Sequence, residues 1–228
     1  RSTLFPYTTL FRSVGWRAQV VRAEAQAAAI AHRCRQQESF EGALIPAVLA
    51  RLPAGHRVFC GNSLAIRDLD AFSGGDDKPL RFFGNRGASG IDGNLSTALG
   101  VASTGPCLAL LGDLATQHDL TALAVASGRD IVVVVLNNGG GGIFEYLPVA
   151  ALAEFEHGWL TPQRVDLVAA AQSFAVAGER VSTLAELAAS LERALQRGGP
   201  TLLDVVVDRR ASVDAHRAYW QQVAAAMV

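Results

Sequence analysis

Two apolar runs in this chain end on groups that can hold a cation. Asp113 follows CLALL (107–111) and Gly112, and Asn137 and Asn138 follow IVVVVL (131–136), with glycines at 139 to 142 directly after. A carboxylate oxygen, an amide oxygen and a backbone carbonyl are hard donors. They suit Mg²⁺, an ion usually shared between a few protein groups and substrate phosphates. Glycine lets a backbone approach a phosphate closely and takes positive φ without steric cost. Two further segments carry cations: GNSLAIR (61–67), with Ser63 and Arg67, and NRGASGIDG (85–93), with Arg86 and three glycines. A guanidinium on a ligand-facing loop suits bidentate binding of a carboxylate. Taken singly, each feature has a plainer reading: Asp and Ser cap helices, Asn-Gly makes turns, and arginines are solvated.

What joins these groups is the order of elements that must carry them. The patterning predicts helices over 14–37 and from Ser39 to Leu52, a strand at 57–61, and a turn into helix over 62–72. After a loop at 73–79 come a strand at 80–84 and a small-residue helix ending at Ser103. Next are the strand ending at Leu111, a helix over 116–127 and the strand at 131–136. Residues 145–162 read as irregular, broken by Pro148, Gly158 and Pro162. Helical periodicity returns at 164–176, a short strand at GERV, an amphipathic helix over 183–199, a buried strand at 201–208 and a last helix from Ser212. About six strands alternating with helices predict an α/β, doubly wound, mostly parallel six-stranded sheet with helices on both faces. In right-handed βαβ units both strand ends fall on one edge of the sheet, where open α/β sheets bind ligands. Asp113 and Asn138 therefore face one volume.

Composition narrows the classes of function. The chain has 228 residues, half of them apolar, which is enough for one sizeable α/β domain. A net charge of −1 leaves no basic footprint for nucleic acid, and no run is long enough to span a bilayer. Cys34, Cys60 and Cys107 are odd in number and lie in no CxxC pattern, which argues for a reducing compartment and against a zinc site. With no signal peptide found, the expected location is cytoplasmic. The first thirteen residues, RSTLFPYTTLFRS, do not match the Ala/Arg-rich segment from Val14 onward and are set aside as a non-native leader.

The unit from Gly112 to Phe144 resembles the GD…NN signature of thiamine-diphosphate enzymes. That resemblance implies thiamine diphosphate as cofactor and Mg²⁺, or equally Mn²⁺, held by Asp113, Asn138 and the carbonyl of Gly140. Gly112 and Leu114 complete the motif on the cofactor side; Leu114 stands where the third residue is usually glycine. GNSLxxR, NRGASGIDG and NNxGGxIFxxLP in this order resemble one branch, the 2-succinyl-5-enolpyruvyl-6-hydroxy-3-cyclohexene-1-carboxylate synthases of menaquinone biosynthesis. Carried onto this chain, the likeness implies Ile91 as the apolar wedge that bends the cofactor. It implies Ser63, Arg67 and Arg86 as substrate-side groups, and Ile143, Phe144 and Leu147 as an apolar wall. The implied substrates are 2-oxoglutarate and isochorismate, anions for which paired arginines make sense.

The same resemblance implies a glutamate on a separate pyrimidine-binding domain, contributed by another subunit of a homo-oligomer. Glu24, Glu38 and Glu41 lie in helical segments with no strand before them, and none is nominated. The resemblance thus implies that residues 14–55 are the tail of a middle domain with linking helices and 56–228 the diphosphate-binding domain, and that the chain is inactive alone. Three alternatives stay open: another thiamine-diphosphate enzyme of the acetolactate synthase or decarboxylase type, a nucleotide-dependent oxidoreductase domain, and a non-catalytic α/β module. The second would want GxGxxG after the first strand, which GNSLAIR does not supply.

Overall fold

The computed structural model describes residues 15–35, 40–74 and 77–227. The leader at 1–13 and Ser39, expected to open the second helix, lie outside them. In chain order the first half comprises α1 (Trp16–Cys34), α2 (Glu41–Arg51), β1 (Arg57–Cys60), α3 (Leu64–Phe72), β2 (Arg81–Phe83) and α4 (Asn94–Ala102). Then come β3 (Cys107–Gly112), α5 (Asp113–His118), β4 (Ile131–Asn137), α6 (Leu167–Ser173), β5 (Ala177–Val181), α7 (Leu184–Arg197), β6 (Thr201–Val206) and α8 (Arg209–Ala226). The strands form one six-stranded sheet in the order β2-β1-β3-β4-β6-β5. Every pairing in it is parallel, so the sheet is more regular than the mostly parallel one expected.

The apolar runs explain the layers. In β3 and β4 successive side chains alternate between faces, and both faces are dry, as parallel strands require. Leu108, Leu110, Val132 and Val134 pack with Leu44, Ile45, Leu187 and Leu191, beneath α2 and α7. Ala109, Leu111, Val133 and Val135 pack on the opposite face with Leu95, Leu99, Leu167 and Ala171, beneath α4 and α6. A smaller apolar cluster joins α1 to α8 through Ile30, Ala31, Ala215 and Tyr219, with Phe40 and Phe72 beside them.

Several element ends differ from the patterning, each for a local reason. The helix expected over 116–127 is α5 at 113–118 followed by a 3₁₀ segment, Leu120–Val125. Asp119 interrupts it: its carboxylate accepts from the Ser96 amide at 2.6 Å and the Ser96 hydroxyl at 2.9 Å. It thereby satisfies an N–H that the start of α4 leaves without a helical partner. The helix read at 164–176 is only Leu167–Ser173, because the Asp166 side chain accepts from the amides of Val168 and Ala169 and sets the start there. Ala175 at φ 58 ends it. α8 opens at Arg209, ahead of Ser212, on the Asp208 carboxylate, which accepts from the Ala211 amide. Residues 145–162 carry no strand or α-helix; they form 3₁₀ turns and one π turn, Glu156–Leu160.

Candidate functional site

The register of β3 against β4 sets the site. Gly112 pairs with Leu136, so Asp113 stands level with Asn137 at the carboxyl edge of the sheet, with Asn138 one step beyond. Asp113, Asn138 and Gly140 line one cavity of about 390 Å³, together with Gly112, Leu114, Ser63, Ile91, Ile143 and Phe144. Nine of the predicted positions thus meet there.

The cavity is lined mainly by apolar and small residues, with Asp113, Glu41 and Asp68 as its carboxyl residues. Burial pushes the Asp113 carboxyl up to about 6, while the amides of Leu114, Gly140 and Gly139 pull it down. The Asn138 amide oxygen is buried and has no hydrogen-bond partner among the described residues. A buried, unpaired polar atom costs roughly 1–3 kcal/mol, so this oxygen is poised for a ligand rather than for the fold. A carboxylate and an unpartnered amide oxygen share this cavity with Gly140, whose carbonyl accepts from the Gly142 amide at 2.9 Å and keeps a second lone pair; oxygen donors of this kind suit a hard divalent cation. No group of three or more His, Cys, Asp or Glu side chains with metal-binding spacing occurs among the described residues. Any cation here would therefore lean on one carboxylate together with amide, backbone and ligand oxygens.

Asn137, the other member of the pair, points elsewhere. Its amide donates to Asp204 on β6 at 2.8 Å, and its oxygen accepts from the Gly139 amide at 3.2 Å. It shapes the turn that presents Asn138. The glycines are required by close packing as well as by φ. Gly140 sits at φ 140, and a β-carbon there would lie 2.3 Å from the Leu160 carbonyl oxygen. On Gly141 one would meet the Trp159 carbonyl at 2.7 Å, and on Gly142 the Asn138 amide at 2.6 Å. The π turn therefore lies directly against the glycine run, and the Gly141 amide donates to Leu160 O at 2.7 Å.

The two arginine loops are tied to each other by residues that motif reading left without a role. Asn62 donates to the Gly90 carbonyl at 2.7 Å and accepts from Arg86 Nη1 at 2.8 Å. Asn94 also donates to Gly90 O. Arg67 donates to the Ser63 carbonyl at 2.7 Å, which places it one helical turn from Ser63. Ser63 itself has φ 66 and ψ −129 and makes no capping hydrogen bond, so a side chain is held in a strained conformation at the mouth of the cavity. Arg67 and Arg86 do not line the first cavity. They share a shallow depression of about 450 Å³ with Ile66, Asp70 and Phe82. Arg67 also lines a second cavity of about 480 Å³, with Leu147, Tyr146, His216 and Trp220. Ile143, Phe144, Leu64 and Asp68 belong to both cavities, so Leu147 lies beyond the shared wall.

Glu41, which helix context alone gave no reason to choose, is also in the first cavity and is 1 % exposed. It accepts a hydrogen bond from the Ser212 hydroxyl. Burial, then the nearby Asp68, raises its carboxyl above the usual range. No sequence signal links positions so far apart; only a charged residue amid buried helix positions hinted at it.

This geometry, two strand tips with a glycine cradle on an all-parallel sheet, belongs to cofactor-binding α/β folds, and comparison with known proteins narrows the class. Residues 74–205 match the family model described as the thiamine pyrophosphate enzyme C-terminal TPP binding domain. The chain belongs to that family. Its relatives include the 2-succinyl-5-enolpyruvyl-6-hydroxy-3-cyclohexene-1-carboxylate synthase of Dechloromonas aromatica, 51 % identical over 71 % of this chain and 30 % of the relative. The enzyme of the same name from Sorangium cellulosum is 41 % identical over 91 % of this chain and 36 % of its own. The chain thus spans about a third of the length of the curated relatives it matches. Among solved structures, one described as a thiamin diphosphate-dependent enzyme from Mycobacterium smegmatis superposes with a TM-score of 0.60. That match has 25 % identity and covers 74 % of this chain and 32 % of the other.

Proposed function

We propose that this chain is the diphosphate-binding part of a 2-succinyl-5-enolpyruvyl-6-hydroxy-3-cyclohexene-1-carboxylate synthase, which decarboxylates 2-oxoglutarate and joins the remainder to isochorismate. The observation that carries the cofactor half is the Asn138 oxygen, buried without a partner, beside the desolvated carboxyl of Asp113. Asp113, Asn138 and the Gly140 carbonyl would hold Mg²⁺, or Mn²⁺, against the diphosphate. Thiamine diphosphate supplies a stabilised carbanion when bound; the protein supplies orientation and electrostatics. Ile91, Leu114, Ile143 and Phe144 give the cavity apolar walls that exclude water. Ser63, Arg67 and Arg86 are the substrate-side groups, Ser63 offering a hydroxyl and the two arginines a positive charge matched to carboxylates. The substrate half rests on the likeness to the named synthases and on these arginines.

We extend the same proposal to the assembly. Residues 14–55 are the tail of a middle domain, 56–228 the diphosphate-binding domain, and the enzyme works as a cytoplasmic homo-oligomer. The pyrimidine end of the cofactor is met by another subunit, so this polypeptide by itself does not turn over. Among the described residues no helix is long and apolar enough to cross a membrane. Calorimetry with thiamine diphosphate, with and without Mg²⁺, tests the central claim. Binding should require the metal and vanish in Asp113→Ala; metal-independent binding, or binding of NADH instead, would refute it. Turnover of 2-oxoglutarate and isochorismate by this chain alone would refute the assembly.

A further inference from the structure

The turn that carries Asn138 is held from the side by a strand it does not belong to. Asp204 lies within β6 among apolar neighbours, and it is 0 % exposed. It pairs in register with Val135 of β4 on one side and Arg180 of β5 on the other. Asn137 lies two residues beyond Val135 and so projects from the same face of the sheet. Its side-chain amide donates to Asp204 Oδ1 at 2.8 Å, and Arg180 Nε donates to Oδ2 at 3.0 Å. Arg180 Nη2 also reaches Asp166, the carboxylate that caps α6, at 3.3 Å. Both oxygens of a buried carboxylate are thus engaged by donors, and one of those donors comes from the glycine turn.

The roles in these hydrogen bonds fix a direction. An ionised carboxylate only accepts, and arginine keeps its protons in a protein. Asn137 must therefore turn its nitrogen toward Asp204, which leaves its oxygen to accept from the Gly139 amide at 3.2 Å. Turned the other way, the amide would set oxygen against oxygen at Asp204 and N–H against N–H at Gly139. The Asn137 carbonyl is tied to the same side, accepting from the Val207 amide at 2.9 Å. Gly139 and Gly140 follow at φ 80 and 140. Asn138 stands between the two restraints, its oxygen buried and unpartnered among the described residues. A buried ion pair adds little stability over apolar residues of the same volume. What Asp204 adds to β6 is an orientation for Asn137.

We propose that Asp204 is a positioning residue for the cation site, fixing the amide of Asn137 and through it the turn that presents Asn138 and the Gly140 carbonyl. The inference rests on the function proposed above, since it needs a cation at Asp113 and Asn138. Asp204→Asn keeps the shape of the side chain and leaves it one acceptor. The charged guanidinium of Arg180 takes that oxygen, because charge-assisted hydrogen bonds are the stronger ones. The new NH₂ then faces Asn137 and turns its amide over, N–H against N–H at Gly139. Adding Arg180→Gln reverses this, because the shorter side chain ends where Nε stood and brings an acceptor of its own. The oxygen at 204 is then free to return to Asn137.

The test is Mg²⁺ calorimetry on the whole chain with saturating thiamine diphosphate, beside ¹⁵N NMR of the same chain without metal or cofactor. Asp204→Asn should weaken Mg²⁺ binding about tenfold, less than the loss of Asn138 itself, and its Gly139 amide should lose protection from exchange. Arg180→Gln alone should melt at a lower temperature yet hold Mg²⁺ within about twofold of wild type. The double variant should recover Mg²⁺ affinity to within about threefold of wild type while staying less stable. A merely structural carboxylate would make affinity follow the melting temperature through all three. An Asp204→Asn chain that keeps wild-type Mg²⁺ affinity or an unchanged Gly139 amide overturns the proposal, and so does a double variant no better than the single. Wild-type Asn137 side-chain protons that exchange as fast as those of exposed asparagines overturn it without any variant. If thiamine diphosphate binds neither with nor without Mg²⁺, the functional reading falls, and the hold of Asp204 on the turn is decided by the Gly139 amide.

Discussion

The tips of β3 and β4 and the wall built by α2, α3 and α8 make a useful contrast. Both present buried carboxyls to the same cavity, yet they are built in opposite ways. At the strand tips Asp113 and Asn138 lie 25 positions apart in one βαβ unit, and the register of two parallel strands sets Asp113 level with Asn137, one step short of Asn138. In the wall, Ser212 reaches Glu41 across 171 positions and His216 reaches Asp68 across 148. The tips leave the Asn138 oxygen open, whereas the wall pairs Glu41, His216 and one oxygen of Asp68 internally and leaves the second Asp68 oxygen open.

The largest effect that could break this contrast is at Asn138. If its oxygen exists for a ligand, Asn138→Ala should weaken Mg²⁺-dependent thiamine diphosphate binding by about 100-fold or more. It should leave thermal stability unchanged or slightly raised, because an unpaired buried group is removed. Asn137→Ala should do the reverse: lose about 1–2 kcal/mol of stability through the freed Asp204 carboxylate, with a smaller effect on binding. Calorimetry and thermal melts on both variants decide it; equal behaviour of the two asparagines would end the division of labour.

Next in size is Gly140→Ala. Its β-carbon would lie 2.3 Å from a backbone oxygen of the π turn, and φ 140 is itself unfavourable for a side chain. A loss of about 2–3 kcal/mol is expected, read as a lower melting temperature with weakened cofactor binding. Gly139→Ala, which has open space around it but φ 80, should cost less.

These positions also show what was legible in the sequence. The order of strands and helices, and the meeting of Asp113 with Asn138, follow from contiguous apolar runs and from the fixed hand of βαβ units. Ser63, Ile91, Ile143 and Phe144 line the same cavity as Asp113 and Asn138. What patterning could not supply was side-chain interruption of helices, as at Asp119 and Asp166, because those carboxylates compete with the helix for amides. It also could not supply the wall. Asp68 and His216 look like ordinary polar residues on amphipathic helices until α8 folds back over α3. The roles of Asn62 and Asn94, tying the two arginine loops together, depend on the Gly90 carbonyl that both reach.

A smaller effect concerns pH. Asp113 has a folded pKa of about 6, above the ordinary carboxylate value of 3.8. The folded state therefore binds the proton more tightly than the unfolded chain. Asp113's contribution to stability is greatest below about pH 4 and is lost as pH rises toward 6. Metal binding needs the ionised form, so cofactor affinity should run the other way, falling up to about tenfold per unit below pH 6. Comparing wild type with Asp113→Asn in melts and in calorimetry from pH 4.5 to 7.5 checks both signs. Identical pH slopes in the two proteins would remove Asp113 from the account.

The smallest expected change in cofactor affinity is at Arg86. It lines the shallow depression with Arg67 and not the first cavity, and its guanidinium donates a 2.8 Å hydrogen bond to Asn62. Arg86→Ala should therefore alter thiamine diphosphate binding by less than about threefold, the loss of a partly exposed hydrogen bond in a loop still held by Asn62 and Asn94. Binding of 2-oxoglutarate or isochorismate to the loaded chain should fall far more, since a charge-assisted contact to a carboxylate is removed. Arg86→Lys should recover part of the substrate loss through charge alone, without the bidentate geometry. If cofactor and substrate affinities drop together, Arg86 acts by propping the 85–93 loop, and the anionic end of the ligand must be sought at Arg67 instead.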